Sequence, residues 1–213
     1  MRYQLCIFDF DGTLADSAGW FARELNHIAR RFGFRQVSDG EIAMLRHYDT
    51  RAIIRYLQVP WWKLPRIARH MRRRMAADAA SIPLFAGTGA LLEQLQRSGV
   101  TIAIVSSNSE ANVRMILGAP NASRVAHFQC GASLLGKAGH FRRLLRQAAV
   151  PAQRAIGIGD EARDIEAATK AGIAAAAVTW GYASRDLLAR WRPDMIFDAM
   201  EQIPPALAAA DRG

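Results

Sequence analysis

Apolar and polar positions alternate along this chain in two rhythms. Gln4 to Phe8 is a short run of strand formers that gives way at once to Asp9-Phe10-Asp11-Gly12-Thr13, which reads as a buried strand ending in a polar loop. From Pro83 onward, helix and strand patterns take turns. Gly87 to Ser98 predicts a helix with Leu91, Leu92 and Leu95 on one face and Gly99 as its stop. Val100 to Val105 predicts a buried strand, Ser109 to Leu117 a helix, and Val125 to Cys130 a weaker strand. Lys137 to Ala149 predicts a helix ahead of Pro151. It is followed by a strand over Ala155 to Ile158, a helix over Ala162 to Ala171 stopped by Gly172, and a strand over Ile173 to Thr179. The alanine-rich tail after Pro205 predicts a short terminal helix. This alternation is the signature of an α/β fold, a parallel sheet with helices on both faces.

Residues 17–80 break the rhythm. They are helical in pattern, rich in arginine and aromatic residues, and bounded internally by Pro60 and Pro65, with no strand-like alternation. The expected organisation is a catalytic core over 1–16 and 81–213 with a small all-helical insertion over 17–80.

Composition changes this picture little. The chain has 213 residues, 51% hydrophobic and 22% charged, as an ordinary globular protein does. No run reaches the roughly 20 apolar residues of a membrane span. The N-terminus lacks a secretory hydrophobic region, so a cytoplasmic protein with no membrane partner is expected. Cys6 and Cys130 each lie in a predicted strand among apolar neighbours and read as buried reduced thiols. Neither has the neighbouring ligands of a zinc site. The net charge of +9 is concentrated in residues 15–80, with Arg30-Arg31 and Arg72-Arg73-Arg74. Such a surface can attract nucleic acid, anionic membrane or phosphorylated substrates, but it reads first as a solvated helix face.

Ligands of parallel sheets bind outside the carboxyl ends of the strands. Asp9 and Asp11 follow the first strand. Ser106, Ser107 and Asn108 follow the second, Lys137 comes after the third, and Asp160, Glu161 and Asp164 follow the fourth. Asp9 and Asp11, two apart, can emerge on one side, and Asp160 and Asp164 share a helix face. Clustered carboxylates repel one another unless a hard cation with oxygen ligands joins them, and Mg2+ is the usual choice beside phosphate. A serine hydroxyl can donate to a phosphate oxygen, a lysine supplies compact positive charge, and Gly12 lets backbone approach an anion closely. Two nucleotide-binding patterns are near misses. Gly131-x-x-x-x-Gly136-Lys137-Ala138 lacks the hydroxyl of a P-loop. In Gly157-x-Gly159-x-x-Ala162, Asp160 would face a pyrophosphate with negative charge.

Asp9-Phe10-Asp11-Gly12-Thr13-Leu14-Ala15-Asp16-Ser17 resembles the first motif of the haloacid dehalogenase superfamily. Ile104-Val105-Ser106-Ser107-Asn108 resembles the second, Lys137 stands where the third-motif lysine is expected, and Gly157-Ile158-Gly159-Asp160-Glu161-Ala162-Arg163-Asp164 is similar to the fourth. The resemblance is nearest to the phosphoglycolate phosphatase-like and β-phosphoglucomutase-like enzymes. It implies a Rossmann-like core, a helical cap over 17–80, and a Mg2+-dependent phosphatase acting on a small soluble phosphomonoester. Asp11 argues against dehalogenation, because dehalogenases lack that aspartate. In the implied site Asp9 is the nucleophile and Asp11 the acid and base, while Gly12, Thr13, Lys137 and Ser106 or Ser107 hold phosphate. Asp9, Asp11 and Asp160 hold the metal, and Asp164 supports it. Where relatives read substrate, the cap carries Arg46, His47 and Arg51, whose charges suggest a substrate with extra anionic groups. Two alternatives stand beside this reading: a phosphomutase of the same family, and a non-catalytic protein whose basic cap holds a partner or nucleic acid. Nucleic acid is not the expected partner.

Overall fold

The computed structural model describes residues 2–131 and 136–208. Six strands of these residues form one parallel sheet: β1 (Leu5–Phe8), β2 (Thr101–Val105), β3 (His127–Gln129), β4 (Ala155–Gly159), β5 (Ala174–Val178) and β6 (Met195–Phe197), in the order β3-β2-β1-β4-β5-β6. β1 is central, with Leu5 opposite Thr101 on one side and Ala155 on the other. Between β1 and β4 the strand order reverses, which is where such sheets open a ligand crevice. Asp9 and Asp160 sit just beyond these two strands.

Period-two alternation sorts the sheet residues onto two faces. Cys6 and Phe8 pack into a cluster with Leu91, Leu92 and Leu95 of α5 (Thr88–Arg97), Val113 and Ile116 of α6 (Glu110–Ala122), and Leu207 of α10 (Ile203–Ala208). Leu5 and Ile7 face the other way, onto Phe141 and Leu144 of α7 (Lys137–Ala148), Ile165 and Ala168 of α8 (Ala162–Ala171), and Leu188 of α9 (Arg185–Arg190). Each fully buried leucine or isoleucine of this kind contributes about 1.5–3 kcal/mol of transfer free energy.

Between β1 and α5 the chain is helical, as the pattern predicts: α1 (Ala18–Phe32), α2 (Asp39–Leu45), α3 (Thr50–Tyr56) and α4 (Leu64–Asp78). Local chemistry sets these boundaries. Gly33 ends α1 in the left-handed conformation. Ser38 and Glu41 form a reciprocal capping box on α2, and the Asp49 side chain accepts from Ala52 N at the start of α3. The insertion has its own small core of Leu25, Val37, Leu45 and Leu57. Its roots, by contrast, belong to the sheet: Trp20, Met75 and Ala79 pack into the α5–α6 cluster, and Trp20 Nε1 donates to Asp78 Oδ2 at 2.8 Å. Entry and exit of the insertion are thereby tied together.

Several boundaries differ from expectation. The helix expected to end at Leu117 continues to Ala122 through a kink at Gly118 (φ 72°, ψ 156°), two residues before Pro120. Two elements were not foreseen, α9 and the edge strand β6, both too short to show a period. The terminal helix begins at Ile203, before Pro205, and residues beyond 208 lie outside the described ones. Among the described residues no helix is long and apolar enough to cross a membrane.

Candidate active site

The loop after β1 is wound tightly. The N–H groups of Leu14 and Ala15 donate to Phe10 O, and Gly12 N donates to Ala15 O. Gly12 takes φ +82° there, and a Cβ on it would overlap Asp160 Oδ2 and stand 2.6 Å from the Tyr182 ring. Only glycine meets both demands. The loop thus presents Asp9, Asp11 and Thr13 toward the ends of β2 and β4.

Asp160 is fully buried. Its Oδ1 accepts from Thr13 Oγ1 at 2.8 Å and its Oδ2 from Tyr182 N at 2.7 Å. Asp164, one helical turn on, accepts from Glu161 N through Oδ2 at 3.1 Å and from Lys137 Nζ through Oδ1 at 2.6 Å. Lys137, the first residue of α7, is itself buried, and its Nζ also lies 2.8 Å from Asp9 Oδ2. One buried lysine therefore joins the carboxylates that follow β1 and β4. Residues 132–135 of the P-loop-like spacing that precedes it lie outside the described residues.

Asp11 Oδ2 faces Ser106 Oγ at 3.5 Å and Asn108 Nδ2 at 3.3 Å, while its Oδ1 is buried without a hydrogen bond. Ser106 is buried, and its hydroxyl accepts from Asn108 N. Ser107 instead offers its carbonyl to Arg72 Nη1 at 3.1 Å. Of the two serines, Ser106 is the one whose hydroxyl stands beside the aspartates.

Burial dominates the electrostatics. It pushes Asp9 up to about 7 against the opposing pull of Lys137, and it raises Asp160 well above the ordinary range, with Glu161 and Asp9 adding to the effect. Asp11 is raised by burial, with the nearby polar side chains of Ser17 and Asn108 pulling the other way. For Lys137, burial works against the ammonium, but Asp164 and Asp9 outweigh it and hold the group above its usual value. A cluster that strains to keep its protons lacks positive charge. Asp9, Asp160 and Asp164 each bring a carboxylate oxygen within 4.8 Å of the others. With Asp9 Oδ2 in ion-pair contact but lacking an aligned hydrogen bond, and Asp11 Oδ1 unpartnered, the donor set fits a hard divalent cation. Asp164 Oδ1 is already neutralised by the Lys137 ammonium, whereas Asp160 accepts only from neutral donors, so Asp164 suits positioning Lys137 more than ligation.

The predicted reading arginines of the insertion contact the rim around this cluster. Arg46 donates to the carbonyls of Gly181 and Tyr182 at 3.2 and 3.3 Å, and Arg51 approaches Glu166 at 4.0 Å. His47 is exposed. Together with Thr50 Oγ1, which donates to Glu161 Oε2 at 2.8 Å, the arginines seat the insertion on the rim of the sheet.

Three residues not singled out from the sequence complete the site. Arg163 binds Glu161 Oε1 at 2.5 Å and reaches 4.0 Å from Asp9 Oδ2, with Nε and Nη1 buried and unpaired. Gly181 and Tyr182 close over Asp160, and Tyr182 OH pairs with Ser17 Oγ at 2.8 Å. Arg163 could have been suspected from its place inside the acidic motif. The loop at 181–182 carries no local signal and arrives only because β5 neighbours β4.

The sequence profile of haloacid dehalogenase-like hydrolases matches residues 6–178 of this chain. A phosphoglycolate phosphatase of Synechococcus elongatus is 31% identical over 205 residues, covering 96% of this chain and 97% of that protein. A phosphoglycolate phosphatase of Agrobacterium fabrum is 28% identical, covering 95% and 91%. Among solved structures, one described as a predicted phosphatase from Clostridium acetobutylicum superposes with a TM-score of 0.82 at 21% identity, covering 97% of this chain and 99% of that one.

Proposed function

The chain belongs to the haloacid dehalogenase-like hydrolases, and from that premise we propose that it is a Mg2+-dependent phosphatase that hydrolyses a small phosphomonoester through an aspartyl-phosphate on Asp9. The observation that carries this reading is the buried Lys137 ammonium, 2.8 Å from Asp9 Oδ2 and 2.6 Å from Asp164 Oδ1, with Asp11 two residues away on the same loop. A nucleophilic carboxylate, a second carboxyl group and a fixed cation meet where a phosphoryl group would sit. The two phosphoglycolate phosphatase relatives support the reaction class.

In the first half-reaction an Asp9 carboxylate oxygen attacks phosphorus and the bond to the leaving oxygen breaks. Asp11 gives that oxygen its proton, releasing the alcohol. Burial favours the protonated form of Asp11 that this step needs. In the second half-reaction water attacks phosphorus, the bond to Asp9 breaks, and Asp11 takes the water's proton. Inorganic phosphate leaves and both aspartates return to their starting states. Lys137 and the Ser106 hydroxyl hold the non-transferring oxygens, and Lys137 remains protonated throughout. Asp9, the Asp11 carbonyl and Asp160 would hold the Mg2+, which offsets the repulsion between the anionic nucleophile and the phosphate. Asp164 fixes Lys137. The Asp11 to Ser106 and Asn108 contacts orient the acid.

The test is phosphate release from p-nitrophenyl phosphate and phosphoglycolate with and without Mg2+. Release that requires Mg2+ and is abolished by Asp9→Asn is the expected result. Release that survives Asp9→Asn would remove the aspartyl-phosphate route.

A further inference from the structure

The cavity above Asp11 differs from what a two-carbon acid would need. It encloses about 530 Å³, within the roughly 300–1,000 Å³ of pockets that take drug-sized ligands. Its polar lining is gathered at one end, where Asp11, Ser107, Asn108, Glu161 and Arg163 meet. Most of the remaining wall comes from the helical insertion and, Arg69 and Arg72 apart, is mainly apolar: Leu25 of α1, Ile53 and Leu57 of α3, and Ile67, Ala68 and Met71 of α4 are among its residues. Three arginines touch the cavity. Arg163 stands at the phosphate end beside Asp9, Arg72 is engaged by the Ser107 carbonyl, and Arg69 is solvent-exposed. Arg46 and Arg51 do not line it. A short carboxylate on the leaving group would therefore meet hydrocarbon beyond the phosphate end.

From this we infer that the leaving group of the substrate is an extended apolar alcohol, alkyl or aryl, housed between α1, α3 and α4. The inference rests on the phosphatase reading, since it places the ester oxygen at Asp11. Apolar surface buried against such walls contributes about 25 cal/mol per Å², or roughly 0.8 kcal/mol per methylene, so the cavity rewards length until it is full. A hydrophobic pocket of this kind discriminates by graded size rather than by all-or-none recognition.

The experiment is a series of methyl, butyl, hexyl and octyl phosphate together with phosphoglycolate, all in Mg2+ and below micelle-forming concentrations. We expect kcat/KM to rise roughly two- to fourfold per methylene and octyl phosphate to exceed phosphoglycolate. Ala68→Trp on α4 should flatten the rise by filling the cavity. Ile54→Phe on α3 serves the same purpose should the first variant fail to fold. A flat or falling series while methyl phosphate or phosphoglycolate is hydrolysed overturns the inference and leaves the phosphatase reading standing. Hydrolysis of none of these esters sinks that reading instead. The cavity is then judged by calorimetry of octyl against methyl phosphate. At least tenfold tighter binding with a negative heat-capacity change supports an apolar ligand, and equal or absent binding refutes it.

Discussion

Lys137 Nζ lies 2.6 Å from Asp164 Oδ1, and neither side chain is open to solvent. Asp164 is held in turn by its bond from Glu161 N within the first turn of α8. The lysine is thus positioned by the start of one helix while being carried by the start of another, α7. Two separate crossover connections must be in place before Asp9 has its cation.

Lys137→Met should break both ion pairs and leave Asp9 and Asp164 facing each other. Removing one partner of a buried pair costs about 3–5 kcal/mol. The loss should be largest near neutral pH and shrink on acidification, as the stranded carboxylates take up protons. Urea unfolding of both chains at acidic and neutral pH checks this, and equal stability at neutral pH would contradict the buried pairing. Phosphatase activity should fall by about 10²–10³, the usual loss for an electrostatic stabiliser of the transition state.

Mg2+ should stabilise the fold, and more so as pH rises. In the metal-free protein burial lifts Asp9 to about 7, above its unfolded value of about 3.9. A carboxyl raised in this way loses stability for the fold as pH climbs from the unfolded value through the folded one. A divalent cation binds the ionised form, so its melting-temperature increment should be small near pH 5.5 and several degrees near pH 8. Asp160→Asn should remove the increment. Calorimetric scans with Mg2+ and with a chelator decide it, and an increment that persists in Asp160→Asn would place the cation elsewhere.

Much of this was readable in advance, for physical reasons that vary along the chain. β1, β2, β4 and β5 announce themselves because a strand buried on both faces is a continuous apolar run, and Asp9, Ser106 and Asp160 follow from reading what comes after each. The parallel pairing follows from the alternation with helices. β6 escapes because three residues, Met195–Phe197, show no period. Tyr182 and Gly181 escape for another reason: their role exists only after β5 pairs with β4 and the loop folds back onto Asp160. The arginines of the insertion were legible only in part: Arg46 and Arg51 suggest substrate contact by their place in the resemblance and by charge, and the contacts they make, with Gly181, Tyr182 and Glu166, depend on the folded rim. The apolar cavity was equally hidden, since its wall residues read in sequence as ordinary helix core.

Gly12→Ala should be far more damaging than Gly139→Ala. At Gly12 the left-handed backbone costs about 1–3 kcal/mol for a residue with a side chain, and the new methyl overlaps Asp160 Oδ2. Position 139 lies inside α7 with nothing within 4 Å of a built Cβ, so alanine there should stabilise by about 0.5–1 kcal/mol. Thermal unfolding of the two variants gives shifts of opposite sign. A Gly12→Ala protein as stable as the parent and still stabilised by Mg2+ would mean that the loop can relax away from Asp160.

The two thiols give a probe of the sheet that is independent of catalysis. Cys6, on central β1, is buried as expected, whereas Cys130, just past the end of β3 at the sheet edge, is only partly so; burial raises Cys6 far above its usual value and Cys130 to about 12, with Glu110 adding to the effect. The thiolate is the reactive form, so Cys6 should resist iodoacetamide in the folded protein near pH 8 and react once the chain is unfolded. The linked stability has a definite sign. Above about pH 8.5 the unfolded chain releases the Cys6 proton and the folded one keeps it, so stability falls by about 1.4 kcal/mol for each further pH unit. Cys6→Ala should remove that contribution, leaving the one from Cys130, while costing some packing beside Ile102 and Ile156. Mass spectrometry of the alkylated protein, with and without denaturant, reads the first effect. Labelling of native Cys6 at the unfolded rate would show that the sheet opens around β1.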